Sequence, residues 1–445
     1  MIDLIFLYPL VIYLLICTFA FSIFKFDNII THNFPIFIFL LFISPSVLNV
    51  LMHDYYNFDQ NHFSALNYIS SNHFFFSISL YFFLVFITVL LYKFFTEFRT
   101  MNNFSYQKKL EKWIIFSKKS EKDIFRWLLF IVFICGAAGL YIRFGFYAAE
   151  QFYAPLKGDS VKNIANASYG RSQVLEVIFF QIINLAYYIC LEYRKKFLSI
   201  FLFSYFLLTS LYVGSKAGFI IIIFWTLLYL FFRKIIKFKW RYIFLLLLIA
   251  VPSFILGDYS RTFFQGTDLD GEATLSMFGW VENLSKRDVS IAQTSVMIID
   301  QNFYKHLIPE YLKSIFGLAI PSFIWPDKPI TPGYAIAELF GFGVQSAAPG
   351  WLGGFMFIFG HSGLIFGPII LAFTLAYFSN KLSFYSENPS LHYPLIFMIF
   401  IELSGFFMDG GYHSILPTFI ALFLTFTLFF SLVIILNGKL QKPPL

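Results

Sequence analysis

Charged residues are scarce in this 445-residue chain: Asp, Glu, Lys and Arg together make up 13% of it, whereas hydrophobic residues make up 58%. A water-soluble protein carries about 25% charged residues, so the composition excludes a soluble globule. Intrinsic disorder is excluded as well, because it requires low hydrophobicity and high net charge. With a mean hydropathy of +0.72, the sequence predicts an integral membrane protein with many spans.

Cysteines and cofactor motifs are also scarce. Cys17, Cys135 and Cys190 lie in apolar runs without CxxC or Cys/His spacing, so neither a disulfide framework nor a zinc site is expected. The sequence contains no Walker A or dinucleotide fingerprint and no nucleic-acid-binding pattern. Asp268-Leu269-Asp270 resembles a metal-binding DxD motif, but a solvated turn is the preferred interpretation. We therefore expect no cofactor, no metal and no nucleic-acid partner.

Apolar runs dominate the chain, and a run of about 20 residues suffices for a transmembrane helix. The first run lacks a basic flank and a cleavage site, which predicts a retained helix and not a signal peptide. The predicted fold is an all-α polytopic integral membrane protein with about eleven transmembrane helices. The predicted spans are 2–23, 33–52, 73–96, 125–145, 172–193, 197–214, 217–232, 241–257, 350–378, 393–408 and 414–436.

Lys and Arg are concentrated in three connections, 97–124, 194–196 and 233–241. Even numbers of predicted spans separate these connections, so the positive-inside rule places all three in the cytoplasm. The N-terminus is then outside and the C-terminal tail inside. The net charge of +7 is explained mainly by these basic loops and their attraction to anionic lipid.

The same counting places 258–349 on the outer face, where acidic residues outnumber basic ones. This segment divides the chain into 1–257 with eight predicted spans, 258–349 as a large periplasmic loop, and 350–445 with the last three spans. A connection of this length is usually functional. Apolar periodicity over 291–317 predicts one or two short amphipathic helices lying at the membrane surface.

Arg171, Arg261 and Arg287 fall on the predicted outer face, against the positive-inside trend. The arginine fork binds phosphate at two points and stays charged, so these residues are candidates for an anionic ligand. Pairing with lipid head groups or loop acids is the alternative. Lys216, between two short spans, either faces a cavity at lipid level or extends to the interface from a tight helix turn. Asp288 is a candidate base, a partner of Arg287 or a helix cap.

Four other ionisable residues lie in or near predicted spans, where polar side chains are often functional. His361 and His413 occur near the outer or middle parts of late spans, and Glu176 and Glu402 lie within spans. For each residue, a hydrogen-bonded structural role is the alternative to chemistry.

The stretch from Ile320 to Pro329 reads IPSFIWPDKP. It resembles the IPxxxWPxxP stretch of the Wzy-type oligosaccharide repeat-unit polymerases, which include the O-antigen and enterobacterial common antigen polymerases. Weaker agreement occurs at Gly214-Ser215-Lys216-Ala217, at Arg287-Asp288 and at Arg171. Lys216 stands where relatives show Arg. The Gly-rich run 350–367 resembles the span that follows their outer loop.

This resemblance implies an inverting glycosyltransferase-type polymerase at the periplasmic face of the bacterial inner membrane. Such an enzyme transfers a growing glycan from undecaprenyl pyrophosphate onto a new lipid-linked repeat unit and builds O-antigen or a related surface polysaccharide. A chain-length regulator and a flippase are its expected neighbours. The implied roles are catalysis for Arg261, Arg287 and Asp288, pyrophosphate binding for Arg171, Lys216 and Lys328, and His413 as an alternative base.

Two other functions fit a polytopic membrane protein of this size. A flippase or permease would move the lipid-linked sugar without chemistry, but it would be expected to show internal symmetry. A glycan ligase would attach the finished polymer to a lipid core. The long segment 258–349 favours an enzyme over a transporter.

Overall fold

The computed structural model describes residues 4–24, 33–52, 71–100, 130, 132–138, 179–212, 216–233, 235, 290–299, 304–305, 308–309, 312–313, 325, 350–386, 392–409, 419–420, 422–427 and 431. These residues are almost entirely helical, and none of them is in a strand. The all-α class that the sequence predicts is therefore confirmed for this part of the chain.

Ten helices make up most of the part of the chain that the structure describes. Their bounds are α1 Leu4–Phe24, α2 Phe34–Met52, α3 Ser71–Thr100, α4 Phe179–Glu192, α5 Lys196–Tyr212, α6 Lys216–Phe232, α7 Ser290–Ile299, α8 Gly350–Phe359, α9 Gly363–Tyr385 and α10 His392–Asp409. A single 3-10 turn, Gly360–Ser362, connects α8 to α9.

Three stretches are long and apolar enough to cross a membrane: Leu7–Phe24, Phe76–Phe98 and Gly350–Tyr385. Helices α2, α4, α5, α6 and α10 contribute shorter apolar stretches. Large apolar side chains such as Leu15 and Phe83 are more than half exposed, which is expected of helices whose solvent is lipid. These helices support the predicted membrane protein, while the total of eleven spans stays a prediction.

One compact unit comprises Met1–Asn103, Met277–Phe384 and Phe400–Leu416. Within it α1 packs against α2 and α3, and its buried side chains Ile16, Ala20 and Phe24 recur every four residues. That spacing places them on one helical face. Phe24 meets the ring of Tyr92 on α3 edge to face, with 5.6 Å between centroids. These contacts bury one side of α1 and leave the other side for lipid.

The second compact unit comprises Phe104–Ser276, Tyr385–Ile399 and Pro417–Leu445. Its helices α4 and α5 are joined by a tight turn in which Arg194 has a positive φ of 55°. The Lys195 amide donates to the carbonyl of Cys190 at 2.8 Å, which closes the end of α4. The structure thus confirms a turn beside the basic triplet 194–196.

Helix α7 confirms that 291–317 contains a helix, but its surroundings differ from the prediction. Ile291, Thr294 and Met297 are buried, and α7 packs against α2, α3 and α8. The predicted amphipathic helix would turn its apolar face toward lipid at the membrane surface. Here that face contacts protein, because neighbouring helices offer it enough apolar surface.

Candidate functional site at the bend between α8 and α9

Most residues that the sequence selects for function lie outside the described part of the chain. These are Arg171, Arg261, Arg287, Asp288, Lys328 and His413, together with Glu176, Asp268 and Asp270. Lys216 is the first residue of α6. Glu402 lies within α10 and is partly buried. His361 is described in full, and its neighbourhood forms the candidate site.

The predicted ninth span, 350–378, differs in the structure because the chain bends within it. Helix α8 ends at Phe359, and Gly360 follows with a φ of 62°. This left-handed conformation suits glycine and interrupts a right-handed helix. The 3-10 turn then carries His361, and α9 starts at Gly363.

The bend brings α8 back against the first turns of α9. A Cβ atom at Gly363 would lie only 2.5 Å from the carbonyl oxygen of Phe355, and one at Gly367 would lie 3.0 Å from the Phe355 ring. In one continuous helix, residues 355 and 363 would be separated by about 12 Å along the axis. The glycines at 363 and 367 therefore permit a close approach of the two helices.

Helix length sets how deep α8 can reach. Helix α9 has 23 residues and is about 34 Å long, which is enough to cross a hydrocarbon core of about 30 Å. Helix α8 has 10 residues and covers about 15 Å. Helix α8 is therefore about half as long as the hydrocarbon core is thick.

Helix α8 is held inside the first unit along most of its length, since Gly350 to Phe357 are all buried. The indole Nε1 of Trp351 donates to the Tyr81 hydroxyl at 2.9 Å. The ring of Phe39 meets the Trp351 ring edge to face, with 5.3 Å between centroids. A polar indole group deep in an apolar core thereby has its acceptor, and α8 is fixed against α2 and α3.

Helix α7 packs against α8, and a backbone hydrogen bond fixes it to α2. The Ile291 amide donates to the Ser46 hydroxyl of α2 at 2.9 Å, which satisfies one of the free amides of the first helical turn. Beyond α7, the ring of Tyr304 packs edge to face on Phe357, with 5.5 Å between centroids. Tyr304 thus lies against the end of α8 that leads into the bend.

Tyr304 and His361 meet at the bend. The Tyr304 hydroxyl and His361 Nδ1 are 3.0 Å apart and share a hydrogen bond. Their rings are nearly parallel, with an interplanar angle of 10° and 6.3 Å between centroids. Tyr304 is 0% exposed, whereas His361 is partly exposed. A buried phenol therefore orients an imidazole whose other edge faces outward.

The electrostatics of Tyr304 favour its neutral form. Burial raises the pKa of Tyr304 to about 12 from the ordinary value of 10.0, because the low-dielectric surroundings disfavour the phenolate. Near neutral pH the side chain is then a phenol with one O–H to donate. The sequence interpretation considered His361 but missed Tyr304, since the two lie 57 positions apart and no local pattern connects them.

A second polar cluster lies in the other unit and was also missed. The Arg233 guanidinium donates from Nε and Nη2 to the two carboxylate oxygens of Glu192, at 2.7 Å each. The Tyr229 hydroxyl donates to Glu192 Oε2 at 2.7 Å, and Arg233 Nη1 donates to the Ser386 carbonyl. The Glu192 carboxylate and the Arg233 guanidinium bond to protein groups at short distances, so this cluster fits a structural role. Two features of the sequence could have indicated this cluster: Glu192 near the end of one apolar run, and Arg233 at the end of another.

Comparisons with known proteins give no relative for this chain. No family model matches it, and neither a curated protein nor a solved structure does. Within the described residues, no group of three or more His, Cys, Asp or Glu side chains is placed to hold a metal ion.

Proposed function

We propose that this protein is an inverting glycosyltransferase-type polymerase of the bacterial inner membrane, with about eleven spans and its site on the periplasmic face. It transfers a growing glycan from undecaprenyl pyrophosphate onto a new lipid-linked repeat unit and so builds O-antigen or a related surface polysaccharide. The IPSFIWPDKP stretch, 320–329, supports the substrate class through its resemblance to Wzy-type polymerases. The lipid-linked oligosaccharide is its substrate, and a chain-length regulator and a flippase are its membrane neighbours.

The structural observation that supports this proposal most is helix α8. The segment 258–349 leads into a buried helix of half-membrane length that folds back on α9. The turn at Gly360–Ser362 interrupts the helix inside the predicted ninth span, and non-helical backbone at membrane depth is tolerated only where it is buried in protein or lines a water-filled cavity. A lipid pyrophosphate at the outer leaflet requires a site of this kind, where a polar head group and its apolar chain meet the protein together.

The reaction forms one bond and breaks another in a single displacement. The acceptor hydroxyl oxygen attacks the anomeric carbon of the donor glycan, the bond from that carbon to the pyrophosphate oxygen breaks, and the hydroxyl proton passes to a base. Arg261 and Arg287 stabilise the charge that develops on the leaving pyrophosphate. Arg171, Lys216 and Lys328 bind the same group. Asp288, or alternatively His413, takes the proton.

Polymer length on a gel tests this proposal. Cells lacking the gene receive Arg261→Ala or Arg287→Ala, with membrane levels of each variant checked. Loss of one charge-assisted contact that tightens in the transition state should lower the rate about 100- to 1000-fold, so both variants should yield single repeat units on the lipid core. Lys93→Ala, an exposed residue of α3, is the control and should keep normal polymer.

Two kinds of result would contradict the proposal. Normal polymer from both arginine variants would contradict a shared pyrophosphate site. The phenotype of the gene deletion separates the classes: a ligase deletion leaves no glycan on the lipid core while polymer stays on its carrier, and a flippase deletion strands repeat units on the inner leaflet.

A further inference from the structure

The outward edge of His361 has no assigned role. Its Nδ1 is occupied by the Tyr304 hydroxyl at 3.0 Å. Over the residues that the structure describes, no protein group is hydrogen-bonded to its Nε2. A partly exposed imidazole with one nitrogen held by protein and the other open is arranged to meet a ligand.

The buried hydroxyl of Tyr304 decides which His361 nitrogen carries the proton. Tyr304 is 0% exposed, and a buried O–H that fails to donate costs about 1–3 kcal/mol. Within the described part of the chain its acceptor is His361 Nδ1, and Tyr304 is the donor of this hydrogen bond in the tautomer that leaves Nδ1 unprotonated. The neutral imidazole then carries its hydrogen on Nε2. His361 therefore presents an N–H donor at its open edge and has no free lone pair there.

The surroundings of the open edge suit an anionic lipid head group. A Cβ atom at Gly360 would meet nothing within 4 Å, so there is open space next to His361. Lys305, the next residue after Tyr304 in the sequence, is exposed. The side chains of Phe359 and Ile365 on either side of the turn are exposed, as expected where the bend meets lipid. An imidazole nitrogen and exposed apolar side chains therefore occur together at the start of α9.

We propose that His361 is a binding residue for phosphate oxygens of a lipid, with Nε2–H as the donor and Tyr304 as the positioning residue. The inference rests on the proposed function in one respect, that the lipid is the pyrophosphate carrier of the donor glycan. It assigns His361 a role different from proton removal. A base would need a free lone pair on Nε2, which the Tyr304 hydrogen bond denies to the neutral side chain.

Binding to purified full-length protein in nanodiscs tests the inference. The probes are undecaprenyl pyrophosphate, the uncharged undecaprenol and phosphatidylglycerol. His361→Ala should weaken binding of undecaprenyl pyrophosphate about tenfold, while binding of undecaprenol stays unchanged. His361→Gln places an amide N–H near the position of Nε2, so its affinity should stay within about threefold of wild type. Ser362→Ala is the matched control, because Ser362 is exposed and its hydroxyl donates to the Phe359 carbonyl at 2.5 Å.

The positioning role of Tyr304 has its own readout. Nitrogen-15 spectra of labelled histidine should show His361 protonated on Nε2 in the wild type and a mixture of tautomers in Tyr304→Phe. That variant should bind undecaprenyl pyrophosphate a few-fold more weakly. A purely structural Tyr304 would leave the tautomer unchanged, which would overturn its part in the proposal.

The remaining outcomes separate this inference from the proposed function. Wild-type affinity in His361→Ala, equal losses in His361→Gln and His361→Ala, or no binding by the wild type would each overturn the inference. If His361→Ala weakened binding of phosphatidylglycerol as much as binding of undecaprenyl pyrophosphate, His361 would bind the phosphate of bulk lipid. That result would refute the pyrophosphate carrier as its specific ligand. A protein that binds undecaprenyl pyrophosphate through His361 but makes no polymer would refute the polymerase and leave the binding site standing.

Discussion

The guanidinium of Arg233 donates hydrogen bonds to both carboxylate oxygens of Glu192, at 2.7 Å each. The side chain of Arg233 is 7% exposed and that of Glu192 is 0% exposed. The Arg233 guanidinium also lies over the ring of Tyr393, 4.9 Å from its centroid. The pair thereby joins the C-terminal end of α4, the end of α6 and the start of α10. These contacts bring the three helix ends together within the second unit.

Removing one partner of this ion pair should destabilise the fold strongly. Arg233→Met leaves the Glu192 carboxylate buried without its counter-charge, and such a loss costs about 3–5 kcal/mol. Glu192→Gln should destabilise the fold by a similar amount, because it leaves the Arg233 guanidinium buried without its counter-charge. Thermal unfolding of the detergent-purified variants measures it.

An exposed ion pair of the same protein provides the control. Lys93 and Glu97 are 3.9 Å apart and 38% and 71% exposed, so Lys93→Met should change stability by less than about 1 kcal/mol. The double variant Glu192→Gln with Arg233→Met should recover part of the loss. A single Arg233→Met variant as stable as Lys93→Met would show that the buried pair contributes little.

Gly363→Ala should disturb the bend between α8 and α9. The added methyl group would lie 2.5 Å from the Phe355 carbonyl oxygen, and backbone cannot rotate away as a side chain does. Overpacking of this kind typically costs about 1–3 kcal/mol. Gly136→Ala is the matched control, because its nearest contacts at 3.9 Å are ordinary. Equal melting temperatures for the two variants would argue against close packing of α8 on α9.

The identity of the cations should matter as well as their charge. Arg287→Lys should impair polymer formation, because a lysine cannot reproduce the two-point contact of an arginine fork with phosphate. Under the proposed function Lys216→Arg should be tolerated, since the proposed family of polymerases shows arginine there. Polymer length on a gel, with protein levels checked, measures both. Full polymer from Arg287→Lys together with loss in Lys216→Arg would contradict the proposed roles.

The predicted topology places Ser276 outside and Ser117 inside. Each is replaced by cysteine in a variant without Cys17, Cys135 and Cys190, and intact spheroplasts are treated with an impermeant maleimide. The reagent should label the cysteine at 276 but not the one at 117 until the membrane is opened. The reverse pattern would invert the topology and move the segment 258–349 into the cytoplasm.

Polymer formation should proceed without a divalent metal. The sequence offers arginine and lysine side chains to neutralise a pyrophosphate, and these form charge-assisted hydrogen bonds directly. Purified protein with a synthetic lipid-linked repeat unit should therefore keep its rate in EDTA. Loss of polymer in EDTA and its return with magnesium or manganese would contradict this and point to Asp268 and Asp270.

The sequence by itself determined the helical, membrane-embedded class, because apolar runs and scarce charge act locally on each segment. It also located the basic turn after α4, where consecutive charged residues cannot continue an apolar helix. The sequence did not predict the bend after Phe359, since Gly360 and Gly363 lie in an apolar run in which glycine is common. Only the tertiary structure decided which polar groups meet. Glu192 lies 41 positions from Arg233 and Tyr304 lies 57 from His361. Burying a polar group without a hydrogen bond is costly, and the buried side chains of Glu192 and Tyr304 meet these partners only when separate segments of the chain pack together.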